Sequence, residues 1–123
     1  MSRWICARAA APRIGVVVEL PKVITEYFAA ANTDDAERVA ACFAEDALVR
    51  DERRDIRGCS AIRDWAQETR RKYRYHAEVL GTEAAGDRTI VTAHLTGDFP
   101  GNPIDLRYRF KLTGSKIIAL EIG

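Results

Sequence analysis

Ile104-Asp105-Leu106-Arg107-Tyr108-Arg109-Phe110-Lys111-Leu112 alternates apolar and charged side chains without a break. A pleated backbone sends successive side chains to opposite faces, so this run reads as a strand. Leu106, Tyr108, Phe110 and Leu112 then face a core, while Asp105, Arg107, Arg109 and Lys111 face away. Turn formers frame it, with Pro100-Gly101-Asn102-Pro103 before and Gly114-Ser115 after. Beyond those turns the two-residue period continues in Arg88–Phe99 and Lys116–Ile122, and Gly86-Asp87 sets off a further segment, Tyr73–Thr82. Connections this short join antiparallel neighbours, so the C-terminal half is expected to form a mainly antiparallel sheet.

Upstream the period changes to that of a helix. Pro21 suits a first helical turn, and Val23, Ile24, Tyr27, Phe28 and Ala31 recur at helical spacing, predicting a helix over 21–32. Asp34 with Glu37 three residues later has the form of a capping box, followed by Ala36, Val39, Ala40 and Phe43; this helix is expected to end near Asp46. Ala47 to Arg57 reads as one strand with Ala47, Val49 and Asp51 on a shared face, stopped by Gly58. Ser60 can cap a third helix, whose Ile62, Trp65, Ala66 and Thr69 form an apolar stripe. The order helix, helix, strand, helix, four strands implies an α+β domain with helices gathered on one face of the sheet. Residues 19–123 form that domain, and residues 1–18 read as an N-terminal extension, either loose or adding an edge strand through Val16–Val18.

Composition excludes several functions. Lys and Arg total 19 against 18 Asp and Glu, leaving no excess charge for a nucleic-acid backbone. The basic run Arg70, Arg71, Lys72, Arg74 falls where a helix ends and complements its dipole. No apolar run approaches the ~20 residues that span a bilayer, and Arg8 interrupts the segment that a secretory signal would need. Three cysteines, Cys6, Cys42 and Cys59, without CxxC spacing argue against a disulfide framework or a zinc site and suit a reducing cytoplasm. The two histidines, His76 and His94, are far apart and lack carboxylates at ligand spacing, so no metal is expected. His94 lies opposite the apolar row Val91, Ala93, Leu95 and is expected to point outward.

Several segments together resemble a known family. Tyr27-Phe28-Ala29-Ala30-Ala31-Asn32-Thr33-Asp34-Asp35 is similar to its first helix and turn, and Val39 to Val49 to its second helix and first strand. Gly58 with Ala61-Ile62-Arg63-Asp64-Trp65 is similar to the start of its third helix, and Gly97 to Phe110 to its last long hairpin. The family is the nuclear transport factor 2-like superfamily, and within it the SnoaL-like polyketide cyclases and ketosteroid isomerases. The resemblance covers about Pro21 to Ile122. It implies a cone-shaped, cystatin-like fold in which three N-terminal helices pack on a curved, mainly antiparallel sheet around a small pocket. That scaffold hosts isomerases, cyclases, hydrolases and binding modules, so function has to be argued from the site.

Two positions match the isomerase pattern. Tyr27 stands where a tyrosine donates to the developing enolate oxygen, and Asp51 where an aspartate moves the proton. A carbon acid needs both, a desolvated carboxylate and a preorganised donor. The family's second acidic donor is replaced by Leu106, with Asp105 one residue off and on the other face. Phe28, Phe43, Val49, Trp65, Leu95, Leu106 and Tyr108 are the expected ligand-binding walls. The expected function is binding of a small apolar molecule, with cofactor-free proton transfer beside a carbonyl. Two alternatives stand beside it: a non-catalytic dimeric binding module with Asp51 in an ion pair to Arg53, Arg57 or another arginine, and a hydrolase using a water held between Asp51 and an arginine. A homodimer is expected through the outer sheet face, across Thr92, His94, Thr96, Arg107 and Arg109.

Overall fold

A computed structural model describes residues 20–123, so the extension expected over 1–18 lies outside the described residues. The chain runs α1 (Lys22–Asn32), α2 (Ala36–Ala41), β1 (Phe43–Asp51), β2 (Arg54–Arg57), α3 (Cys59–Tyr73), β3 (His76–Ala85), β4 (Arg88–Thr96), β5 (Ile104–Thr113) and β6 (Lys116–Ile122). Six strands form one sheet in the order β2-β1-β6-β5-β4-β3. Every pairing is antiparallel except β1 with β6, which is parallel. Register shifts at Phe43/Leu48, Val79/Gly81 and Lys111/Leu112 bend the strands and curve the sheet. The α+β class stands, but among the described residues only two helices precede the sheet; α3 follows the β1–β2 hairpin.

The core sits between the helices and the inner face of the sheet. It combines Ile24, Tyr27 and Phe28 of α1, Ile62 and Trp65 of α3, and Val49, Val91, Tyr108, Phe110, Ile117 and Leu120 of the strands. The alternation in β5 behaves as its period requires: Tyr108 and Phe110 are buried while Asp105 and Arg107 are exposed. On the outer face, polar side chains pair between strands, His94 Nδ1 with Asp105 Oδ1 at 2.6 Å and Arg107 with Glu83 at 2.9 Å. No helix among the described residues is long and apolar enough to cross a membrane.

Three boundaries differ from expectation. The second helix ends at Ala41, and Phe43 begins β1. Apolar spacing at 39, 40 and 43 suits a helix, but strand β6 claims this segment: Ile117 N–H donates to Cys42 O at 2.9 Å and Lys116 Nζ to Ala41 O at 2.6 Å. Those bonds satisfy carbonyls that a helix end leaves open. The cap of α2 is Asp35, whose carboxylate accepts from Arg38 N at 3.1 Å, while Asp34 takes a positive φ of 57°. Finally, the single strand expected over 47–57 is a hairpin. Glu52 and Arg53 both have positive φ, 52° and 65°, the mark of a two-residue primed turn, and Asp51 pairs with Arg54. Gly58, with φ 92°, turns the chain into α3 two residues before the predicted Ser60 cap.

The junction between α3 and β3 is tight. Arg70 donates to the carbonyl of Tyr75 and, at 3.0 Å, to that of Asn32 at the end of α1. The Asn32 side chain in turn makes a strand-like pair with Ala77, accepting from its N–H at 2.8 Å and donating to its carbonyl at 2.9 Å. Asp98 N–H reaches across to Tyr73 O at 2.7 Å. That approach is open only to glycine at 97, where a Cβ would lie 2.8 Å from both Tyr73 O and Tyr75 Cα. Gly97→Ala is expected to cost about 1–3 kcal/mol through overpacking against backbone. Gly81→Ala, with open space around its Cβ, should stay within about 0.5 kcal/mol of wild type. Thermal melting of the two variants side by side checks this.

Candidate functional site

A cavity of about 430 Å³ opens between α1, α3 and the far ends of the strands. Each wall follows from a local period. Trp65, Thr69 and Tyr73 form one stripe of α3 at intervals of four, and Ile104, Leu106 and Tyr108 are alternate residues of β5. Tyr27 enters from α1 and Leu95 from β4, and Tyr75 comes from the link between α3 and β3. Phe99 and Pro100 come from the loop that Gly97 presses against α3. Asp51 and Glu52 enter together because the primed turn ends β1 at this point.

Asp51 is the central polar group. Trp65 Nε1 donates to its Oδ2 at 3.0 Å. Burial raises its carboxyl above the ordinary value, opposed in the first place by the indole bond; Glu52 nearby raises it further, while Arg54 and the Glu52 backbone lower it. None of the described arginines pairs with it. Arg54 is held by Glu68 at 3.3 Å and Arg57 leans on Asp46 O at 3.4 Å. The ion pair expected for a purely structural Asp51 is therefore missing among the described residues.

Helix α3 braces the hairpin that carries this aspartate at three points. Besides Trp65 to Asp51 and Glu68 to Arg54, Tyr73 Oη donates to Glu52 Oε1 at 2.7 Å. Residues 65, 68 and 73 share a side of the helix, so one rigid element orients the turn.

Around Asp51 stand three buried phenols. Burial pushes Tyr27 and Tyr108 well above the ordinary tyrosine value and Tyr75 up to about 12, each raised further by the Asp51 charge. All three are neutral near physiological pH and can donate through their hydroxyls. Tyr27 is held by edge-on rings, Phe28 at 5.1 Å, Phe110 at 5.5 Å, Phe43 at 6.0 Å and Tyr108 at 6.2 Å between centroids. Such contacts restrict the ring to one orientation.

Of the residues singled out from sequence, Tyr27, Asp51, Trp65, Leu95, Leu106 and Tyr108 line this cavity together. Phe28, Phe43 and Val49 do not: they are buried core, the first two packed against Tyr27 from behind. Sequence reasoning missed Tyr75, Glu52, Tyr73 and Phe99. Tyr75 and Phe99 lie in irregular links, where no period assigns a face. His94 is bonded to Asp105 on the outer surface and His76 is exposed at the start of β3, so neither lines the cavity. Among the described residues no group of three or more potential metal ligands occurs.

The fold has counterparts among known proteins. A model of the SnoaL-like domain matches residues 24–117. The crystal structure of a candidate polyketide cyclase from Sinorhizobium meliloti superposes with TM-score 0.81 at 36% identity, covering 85% of this chain and 95% of that one. Two more distant structures share the fold. A protein of ketosteroid isomerase-like fold from Catenulispora acidiphila, solved with trimethylamine, gives TM-score 0.76 at 20% identity over 85% of this chain and 86% of its own. A cystatin-fold protein from Novosphingobium aromaticivorans gives 0.70 at 18%, over 83% and 95%. No curated protein matches the sequence. The match over residues 24–117 and the closely superposing cyclase candidate make this chain a member of the SnoaL-like domain family, within the nuclear transport factor 2-like superfamily.

Proposed function

We propose that this domain binds a small, largely apolar carbonyl compound and, with side chains alone, moves a proton at the carbon beside the carbonyl, as an isomerase or cyclase would. The observation that carries this reading is the convergence of one desolvated carboxylate and three neutral phenols in a single cavity. Asp51 acts as base. Trp65 holds its Oδ2 and so orients the carboxylate, and burial raises its basicity toward that of an effective general base. Tyr27 donates to the oxygen on which charge develops, with Tyr108 and Tyr75 in place of the carboxylic donor that Leu106 lacks. The Sinorhizobium relative is named for cyclisation of polyketides, a reaction in which a carbanion beside a carbonyl requires the same base and donor.

The test is deuterium uptake from solvent by 1,3-diketones and cyclic enones that bind. Asp51→Asn should lower exchange about 10²–10⁴-fold, the usual contribution of a general base. Tyr27→Phe should lower it by about 10²–10³, as for loss of one oxyanion donor. Bound compounds that never exchange with wild type overturn the reading and leave a binding module.

The pH dependence follows from the same groups. The base works only when ionised, so exchange should fall as pH drops through a midpoint above the ordinary carboxylate value. The phenols are all displaced upward, so the rate should stay level on the alkaline side to about pH 10, where an ordinary tyrosine would ionise. Stability has the opposite sign. The folded chain binds the Asp51 proton more tightly than the unfolded chain, so stability declines as pH rises between the ordinary carboxylate value and the raised one, and stays lowered above it. Asp51→Asn, which can still accept from Trp65, should therefore melt higher than wild type at neutral pH, and the difference should vanish in acid. A variant that melts lower at neutral pH would mean that the ionised form is stabilised by its surroundings.

We propose also that two copies pair through the outer sheet face. Its cross-strand polar pairs, His94 with Asp105 and Arg107 with Glu83, leave a mixed polar surface around Thr92 and Thr96. Light scattering at micromolar concentration should give twice the monomer mass, and a monomer overturns the pairing.

A further inference from the structure

The cavity is one-sided in charge. Two carboxylates, Asp51 and Glu52, line it beside aromatic rings, and among the described residues no lysine, arginine or histidine does. The nearest cations lie outside the lining and already have partners, Lys72 among them at the rim beside Tyr73 and Glu52. Arg54 is bound to Glu68 and Arg70 to the carbonyls of Asn32 and Tyr75, while Lys72 Nζ lies 5.0 Å from the centroid of Tyr73. A neutral ligand filling this space would strip water from the half-buried Asp51 carboxylate and return no compensating charge. A positive centre would return Coulombic attraction, and the negative faces of the indole and phenol rings would add to it.

We propose that the ligand of this cavity carries a cationic nitrogen, a protonated or quaternary amine, recognised by Asp51 and Glu52 and by the rings of Trp65 and Tyr73. The inference rests on the proton-transfer reading for the carbonyl half of the molecule; the cationic half follows from the lining alone. The two halves suit one another. When Asp51 takes the proton, the carbon–hydrogen bond breaks, an oxygen–hydrogen bond forms on the carboxylate, and the electron pair moves onto the carbonyl oxygen as an enolate. A positive nitrogen beside that carbon stabilises the negative charge as it develops.

The experiment compares two ketones of nearly equal shape, (2-oxopropyl)trimethylammonium and its neutral counterpart 4,4-dimethylpentan-2-one. By calorimetry near neutral pH the cationic ketone should bind at least about tenfold more tightly. Glu52→Gln and Asp51→Asn should each reduce that ratio by about threefold or more, with Glu52→Gln the safer variant because its turn position is exposed and the amide oxygen can still accept from Tyr73. Equal or tighter binding of the neutral ketone overturns the inference, as does a ratio unchanged in both variants or failure of both ketones to bind. Deuterium uptake, corrected for each ketone's spontaneous rate, separates this from the function itself. Cation-selective binding without exchange supports the inference and removes the proton-transfer reading, whereas exchange of both ketones without selectivity does the reverse.

Discussion

The geometry of the cavity hangs on one guanidinium. Arg70 joins the last carbonyl of α1 to the carbonyl of Tyr75, and Asn32, whose main chain it holds, pairs through its side chain with Ala77 of β3. These bonds bring together the three elements that supply Tyr27, Trp65 and Tyr75. They also satisfy carbonyls that a helix end and an irregular link would otherwise leave bare in a part-buried place. A lysine here could not bridge both carbonyls with a planar fork, so the basic run at the end of α3 does more than complement a helix dipole.

Asp51 shows the competing demand. Its carboxylate is held in a largely apolar space by the Trp65 indole N–H and the Glu52 backbone, with no described arginine in an ion pair with it, an arrangement that burial makes unfavourable. The rest of the fold supports it: α3 braces the hairpin through Tyr73 and Glu68, and a ring of aromatic contacts immobilises Tyr27.

Much of this was legible in the sequence because period assigns faces. The alternation through Leu106 and Tyr108, the parity of Asp51 with Val49, and the helical spacing of Trp65 with Thr69 all placed side chains correctly toward the interior. What period does not do is separate cavity wall from core behind the wall. Phe28 and Phe43 carry the same apolar signal as Trp65, yet they pack against the back of Tyr27. The hairpin at Glu52-Arg53 was illegible for a different reason: both residues take positive φ without glycine or asparagine, so the turn has no chemical signature. The early end of α2 lay equally beyond local reading, since it is set by bonds from Lys116 and Ile117, far along the chain.

That distant claim has a kinetic consequence. Among the described strands the sole parallel pairing joins β1 to β6, so Phe43 meets Ile117 and Val49 meets Leu120 across most of the described chain. Closing so long a loop carries entropy that local hairpins such as β4–β5 do not. The β3–β4–β5 meander is made of such local pairings, whereas the β1–β2 arm that bears Asp51 joins the sheet only through β6. Seating the carboxylate in its cavity is thereby tied to the pairing with the widest sequence separation among the described strands, the one whose closure costs the most chain entropy.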